Sequence, residues 1–299
     1  MTAPLVSQPP EYQVHPLGQS GLRPAPGLTV LLGAPRSYTV PGYLLRHDEA
    51  LALTPAAPER VMTSSGFDPL PNWPSEPGYC DGLDAAARAE AIEAAVNAGW
   101  ANSTAETVAT GAVLNRLEEL RSADIGCVVF NGRRAGRARR LARAARAPVL
   151  VLPDGAAPAG GPAVFDARDA PVVARPLAKC LATERAVILA SYDPVPEGTL
   201  LRCAAHPMLE PELRTMARTH LKANAEAAHR EAGRSRALTE TQGLEVEAIP
   251  TSEPNEPLST AVEQEGILVL ADRGRRFGVP GLRAALRERR PVLLVPTGE

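Results

Sequence analysis

Two short stretches of this chain combine glycine with arginine as an anion site would require. Gly132, Arg133, Arg134 and Gly136 form the first, and Asp272, Gly274, Arg275, Arg276 and Gly278 the second. A glycine turn ahead of a helix presents unpaired backbone N–H groups and the positive end of the peptide dipoles, and guanidiniums beside it add charge-assisted hydrogen bonds. A phosphate is the natural occupant. The same glycines also suit any tight turn from a strand into a helix, since a bare Gly-x-x-x-Gly carries little specificity. Both readings stand at this stage.

Other groups give weaker signals. Seven arginines crowd positions 133–146, which could grip nucleic-acid phosphates. Leu141, Ala138, Ala142 and Ala145 share the segment, however, so the arginines read better as the solvated face of a helix, paired with acids such as Glu118 and Glu119. Few aromatics lie nearby to stack bases, and nucleic acid is not the expected partner. His206, His220 and His229 lack the spacing of a zinc pair and read as exposed polar positions. Asp68 and Asp193 open matching Asp-Pro loops, positioned either for a site or simply for a turn. No nucleophile elbow frames Ser191, so no catalytic triad is expected.

The totals narrow the classes further. The chain has 299 residues, 44% hydrophobic and 22% charged, with a net charge of −2, so any anion site is local rather than a basic surface. Cys80, Cys127, Cys180 and Cys203 form no Cys-x-x-Cys pair, which points away from a disulfide framework or structural metal. No apolar run is long enough to span a bilayer and the first residues do not read as a secretion signal; a cytoplasmic protein is expected.

The elements that would position these turns recur twice. The first series is an apolar strand at 28–33, a strand at 59–66, an irregular proline-rich stretch at 67–78, helical stripes through Ile92 and Leu117, an apolar strand at 125–132 and a closing strand at 148–153. The second places strands at 162–166, 185–196 (strand and loop), 244–249, 267–274 and 291–296, with helices around Leu177 and Leu181, Leu213–Ala228 and 256–266. Gly132 and Gly136 match Gly274 and Gly278 at one constant offset, as a duplication would give. Continuous apolar strands alternating with helices specify an α/β fold: two tandem open parallel-sheet domains with helices on both faces. The expected division is a loose proline-rich tail at 1–26, domains at 27–153 and 162–297, and a linker at 154–161.

This order, ending on "ARAPVLVLP" and "RRPVLLVP" with the turns "NGRRAG" and "ADRGRRFG" before them, resembles the universal stress protein family in tandem. The resemblance implies five parallel strands per copy, an adenine-nucleotide-hydrolase-like sandwich, self-association through the closing strands as an internal pseudo-dimer or a homodimer, and in many members ATP at the strand tips. The family's ATP motif, Gly, two residues, Gly, nine residues, Gly and then Ser or Thr, does not occur here. Its first-strand Asp is matched by Asp166, with Gly33 in that place in the first copy. The expectation is therefore a stress-linked regulatory or interaction protein, with an unknown protein partner and without the usual ATP binding or a metal. The alternative is a nucleotide-binding or weakly ATP-hydrolysing stress protein using Asp166, Asp272, Gly274, Arg275, Arg276 and Gly278 in the second copy.

Overall fold

A computed structural model describes residues 25–33, 35, 38, 44–56, 77–153, 161–191, 197–251, 256–274, 279 and 281–297. The proposed strand at 59–66, Asp68, Asp193, most of the proposed linker, and Arg275, Arg276 and Gly278 of the second turn lie outside these residues.

Ten strands form one mixed sheet. They are β1 (Ala25–Leu32), β2 (His47–Pro55), β3 (Asn102–Val108), β4 (Ile125–Asn131), β5 (Val149–Leu152), β6 (Ala163–Asp166), β7 (Arg185–Ser191), β8 (Glu245–Thr251), β9 (Ile267–Asp272) and β10 (Val292–Pro296). Their order is β3-β2-β1-β4-β5-β10-β9-β6-β7-β8. Every adjacent pair is parallel except β5 and β10, which run antiparallel with Leu150 opposite Leu293. Each set of five strands thus has the same internal order, and the two last strands join them. Both sides of β5 and β10 are paired, which leaves no open edge at either closing strand.

Helices cover both faces: α1 (Pro77–Asn97), α2 (Val113–Glu119), α3 (Ala135–Ala145), α4 (Ala170–Cys180), α5 (Glu197–Ala205), α6 (Pro211–Glu240), α7 (Glu256–Glu263) and α8 (Leu282–Arg287). Because successive strand residues face opposite ways, alternate positions feed two cores. Leu31, Cys127, Val129, Leu150, Phe165, Ile188 and Leu293 face one core with Ala91 of α1 and Leu177 of α4. Val30, Val128, Phe130, Val149, Leu189 and Leu294 face the other with Leu141 of α3 and Leu286 of α8. Each core crosses the β5–β10 junction. The segment before β2 also crosses it: Leu45 bridges Leu181, the Ala182 amide donates to the Leu44 carbonyl, and the Arg46 guanidinium donates to the Ala178 carbonyl at 2.7 Å.

The repeat of the strand order is accompanied by a repeat of unusual backbone. Among the described residues four non-glycine residues adopt positive φ, Asp124 and Glu265 just before β4 and β9, and Arg146 and Arg289 after α3 and α8. A left-handed residue is disfavoured for an L side chain, so its recurrence at matched places reflects a shared need to turn the chain sharply into the strand that follows.

Two strands escaped the sequence reading. β2 begins with His47, Asp48 and Glu49, polar residues that mask the apolar run Ala50–Leu53 behind them. β3 is an outer strand with no fully buried residue, so it lacks the apolar signature used for the others. α6, expected over Leu213–Ala228, runs to Glu240.

Candidate functional site

The carboxyl ends of β6 and β9 lie where an open parallel sheet presents ligands. Asp272 ends β9 with its side chain only 2% exposed. Both carboxylate oxygens accept from one guanidinium: Arg139 Nε donates to Oδ2 at 3.0 Å and Nη2 to Oδ1 at 3.0 Å. Arg139 comes from α3, in the other set of five strands, and its side chain is 16% exposed. Arg143, one turn further along α3, stands 3.9 Å from Oδ2. Gly274 curls back at φ 68°, and its amide donates to Oδ1 at 3.2 Å. The Thr297 hydroxyl donates to the Asp272 carbonyl at 2.8 Å, tying down the end of β10.

Beside this pair is a cleft of about 390 Å³ walled by Arg143, Arg146, Asp272, Gly274, Pro296 and Thr297. With Arg139 and Asp272 neutralising each other, Arg143 and Arg146 give the cleft a positive wall.

Asp166 ends β6 and caps the turn after it. Its Oδ1 accepts from the Arg168 amide at 2.8 Å and from Arg168 Nε at 2.9 Å, and Oδ2 from Arg168 Nη2 at 2.6 Å. This pairing holds the Arg168 guanidinium more firmly in its charged form. Asp169 accepts from Arg273 Nη2 at 2.7 Å, and Arg273 also donates to the Arg168 carbonyl. The three aspartates at these strand tips are thus each engaged by an arginine of the same chain.

In the first copy the passage from β4 to α3 is short. Gly132, Arg133 and Arg134 alone separate Asn131 from Ala135. Gly132 is at φ 156°, its amide donates to the Leu152 carbonyl at 3.0 Å, and the Phe130 ring fills the space a Cβ would take, 2.8 Å away. Gly136 lies inside the first turn of α3 with open space where its side chain would be. Arg137 places its guanidinium 5.5 Å from the centre of the Phe130 ring, a cation–π contact. Glu118 and Glu119, expected to pair with the α3 arginines, bond to Arg121 and Arg116.

The structure therefore brings Asp272 and Gly274 together, sets Asp166 in an adjoining turn, and places Gly132 and Gly136 at the far end of the helix whose Arg139 reaches Asp272. The first crossover is three residues long, and Asp272 at the tip of β9 carries a carboxylate already paired with Arg139. Among the described residues no group of three or more His, Cys, Asp or Glu side chains is placed to hold a metal, and no helix is long and apolar enough to cross a membrane.

Sequence reasoning missed two further buried polar groups. His47 is fully buried at the start of β2, with Nδ1 3.0 Å from the Thr29 hydroxyl and no partner for Nε2, and burial lowers its pKa to about 4. Cys127 of β4 and Cys180 of α4 are buried, the Cys127 thiol donating to the Val128 carbonyl at 3.7 Å. A hydrogen bond with Cys127, then burial, raises the Cys180 thiol well above the ordinary value. Compared with models of known protein families and with curated proteins, the chain matches none.

Proposed function

We propose that this chain is a regulatory or interaction protein of the tandem universal-stress-protein type, acting in a stress response without the usual ATP binding and without catalysis. The twofold repeat of the strand order, with antiparallel closing strands between the repeats, supports the architectural part of the reading. The observation that carries the functional part is the Arg139–Asp272 pair: the chain's own side chains occupy the strand tips. A triphosphate brought there would meet the Asp272 carboxylate and would have to displace Arg139 from it, at the cost of a buried charge left without its partner.

A second reading rests on the cleft beside that pair, where Arg143 and Arg146 leave positive charge in excess. It assigns the cleft to a nucleotide or smaller phosphate.

Titration with ATP, ADP and inorganic phosphate while the unfolding temperature is followed separates the two, since any ligand selective for the folded state raises it. The first reading expects no change at millimolar ATP and no release of phosphate from it. A rise that disappears on Arg143→Ala would establish the second. Loss of the gene in its host tests the stress role: growth under starvation or oxidant indistinguishable from the parent's would refute it.

A further inference from the structure

Helix α6 carries two largely apolar stripes, of which the described residues bury one. Ala217, Ala228, Ala232, Ser235 and Thr239 are buried on one side: Ala217 against α5 with Leu200 and Ala204, and the later ones toward the sheet, where Ser235 donates to the Ala167 carbonyl at 3.0 Å. The second stripe is Leu213, Met216, His220, Ala223 and Ala227, all exposed, with Met216 at 56%. Their spacing alternates three and four residues, the pattern that keeps one seam of a helix facing a partner helix. The α5–α6 turn adds Met208, 87% exposed.

We infer that this seam is where a second copy of the chain docks, through antiparallel pairing of α6 with the partner's α6. A twofold axis near the middle of the stripe sets large residues against small ones: Met216 opposite Ala227 and His220 opposite Ala223 in each direction. The same register sets Leu213 opposite Arg230. Arg230 then lays its alkyl stem over Leu213 and turns its guanidinium to Glu212 of the other copy. The sequence thus supplies its own complement in size and in charge, as a self-associating surface must. The seam from Leu213 to Arg230 covers about 25 Å of helix at 1.5 Å per residue. Because β5 and β10 are already paired on both sides, this association does not use the closing strands.

Light scattering of the full chain over a range of concentrations tests the inference. The expected mass rises from 31.5 kDa towards twice that value as concentration increases. Met216→Glu should hold it at the monomer with an unchanged circular dichroism spectrum, because the side chain is exposed in the single chain. Glu212→Arg should weaken the dimer, and adding Arg230→Glu to it should restore the mass. A chain monomeric at every concentration, or a dimer indifferent to Met216→Glu, would overturn the assignment. So would failure of Met216→Cys combined with Ala227→Cys to cross-link two copies under oxidation.

Discussion

Arg139 and Asp272 stand 133 positions apart in the chain and meet in a two-point ion pair behind the tips of β9 and β10. Neither side chain has much access to water, so removing one partner strands the other's charge. Arg139→Ala or Asp272→Ala should therefore cost about 3–5 kcal/mol in urea unfolding. Arg139→Met with Asp272→Leu should cost less than either single change, because it leaves no charge behind. Single variants within half a kcal/mol of the parent, on the order of a surface substitution, would show that the pair does not hold the two sets of strands together.

Stability should fall on mild acidification because of His47. Its folded pKa, about 4, lies below the ordinary 6.5, so the unfolded chain binds the extra proton first. The contribution is complete above about pH 6.5, is lost as pH falls through about 4, and amounts to about 3 kcal/mol. His47→Gln should flatten that part of the pH profile in denaturant titrations. Gly126→Ala should destabilise at every pH, since its Cβ would collide with the His47 ring at Nε2.

The facing thiols of Cys127 and Cys180 should resist modification. Burial puts both out of reach of reagents, and the Cys180 thiol is also held in its protonated form. Peptide mapping after brief alkylation of the native protein should find Cys203, which is partly exposed, modified and these two intact; all three should react in denaturant. Fast labelling of Cys180 in the native protein would mean that α4 opens from the sheet far more readily than its packing implies.

Gly136 offers a test of the first glycine turn. It sits in the first turn of α3 with nothing where a Cβ would go, so Gly136→Ala should raise stability by up to about 1 kcal/mol through reduced backbone entropy in the unfolded chain. A destabilised variant would indicate a backbone contact at that glycine.

The sequence discloses what depends on local chemistry. The apolar strands at 125–131 and 267–272 and the closing strands are visible because they are buried on both faces, and the glycine turns because glycine adopts positive φ without strain. β3 was hidden by its place at the sheet edge, where burial does not demand apolar residues. The partnership of Arg139 with Asp272 was hidden for another reason: Arg139 is one of seven arginines in its segment, and nothing local marks it as the one that crosses to the other set of strands. Cys127 and Cys180 likewise meet only through the packing of α4 across the sheet.

The pairing of β5 with β10 also orders the birth of the molecule. A ribosome makes β5 before β6 to β10, and β10 after every other strand of this sheet, so until β10 emerges the growing chain carries an apolar strand with one side unsatisfied. Nascent chains side by side on one message could join through that side before their own β10 emerges, which makes the interval between β5 and β10 the point at which a chaperone has most to protect.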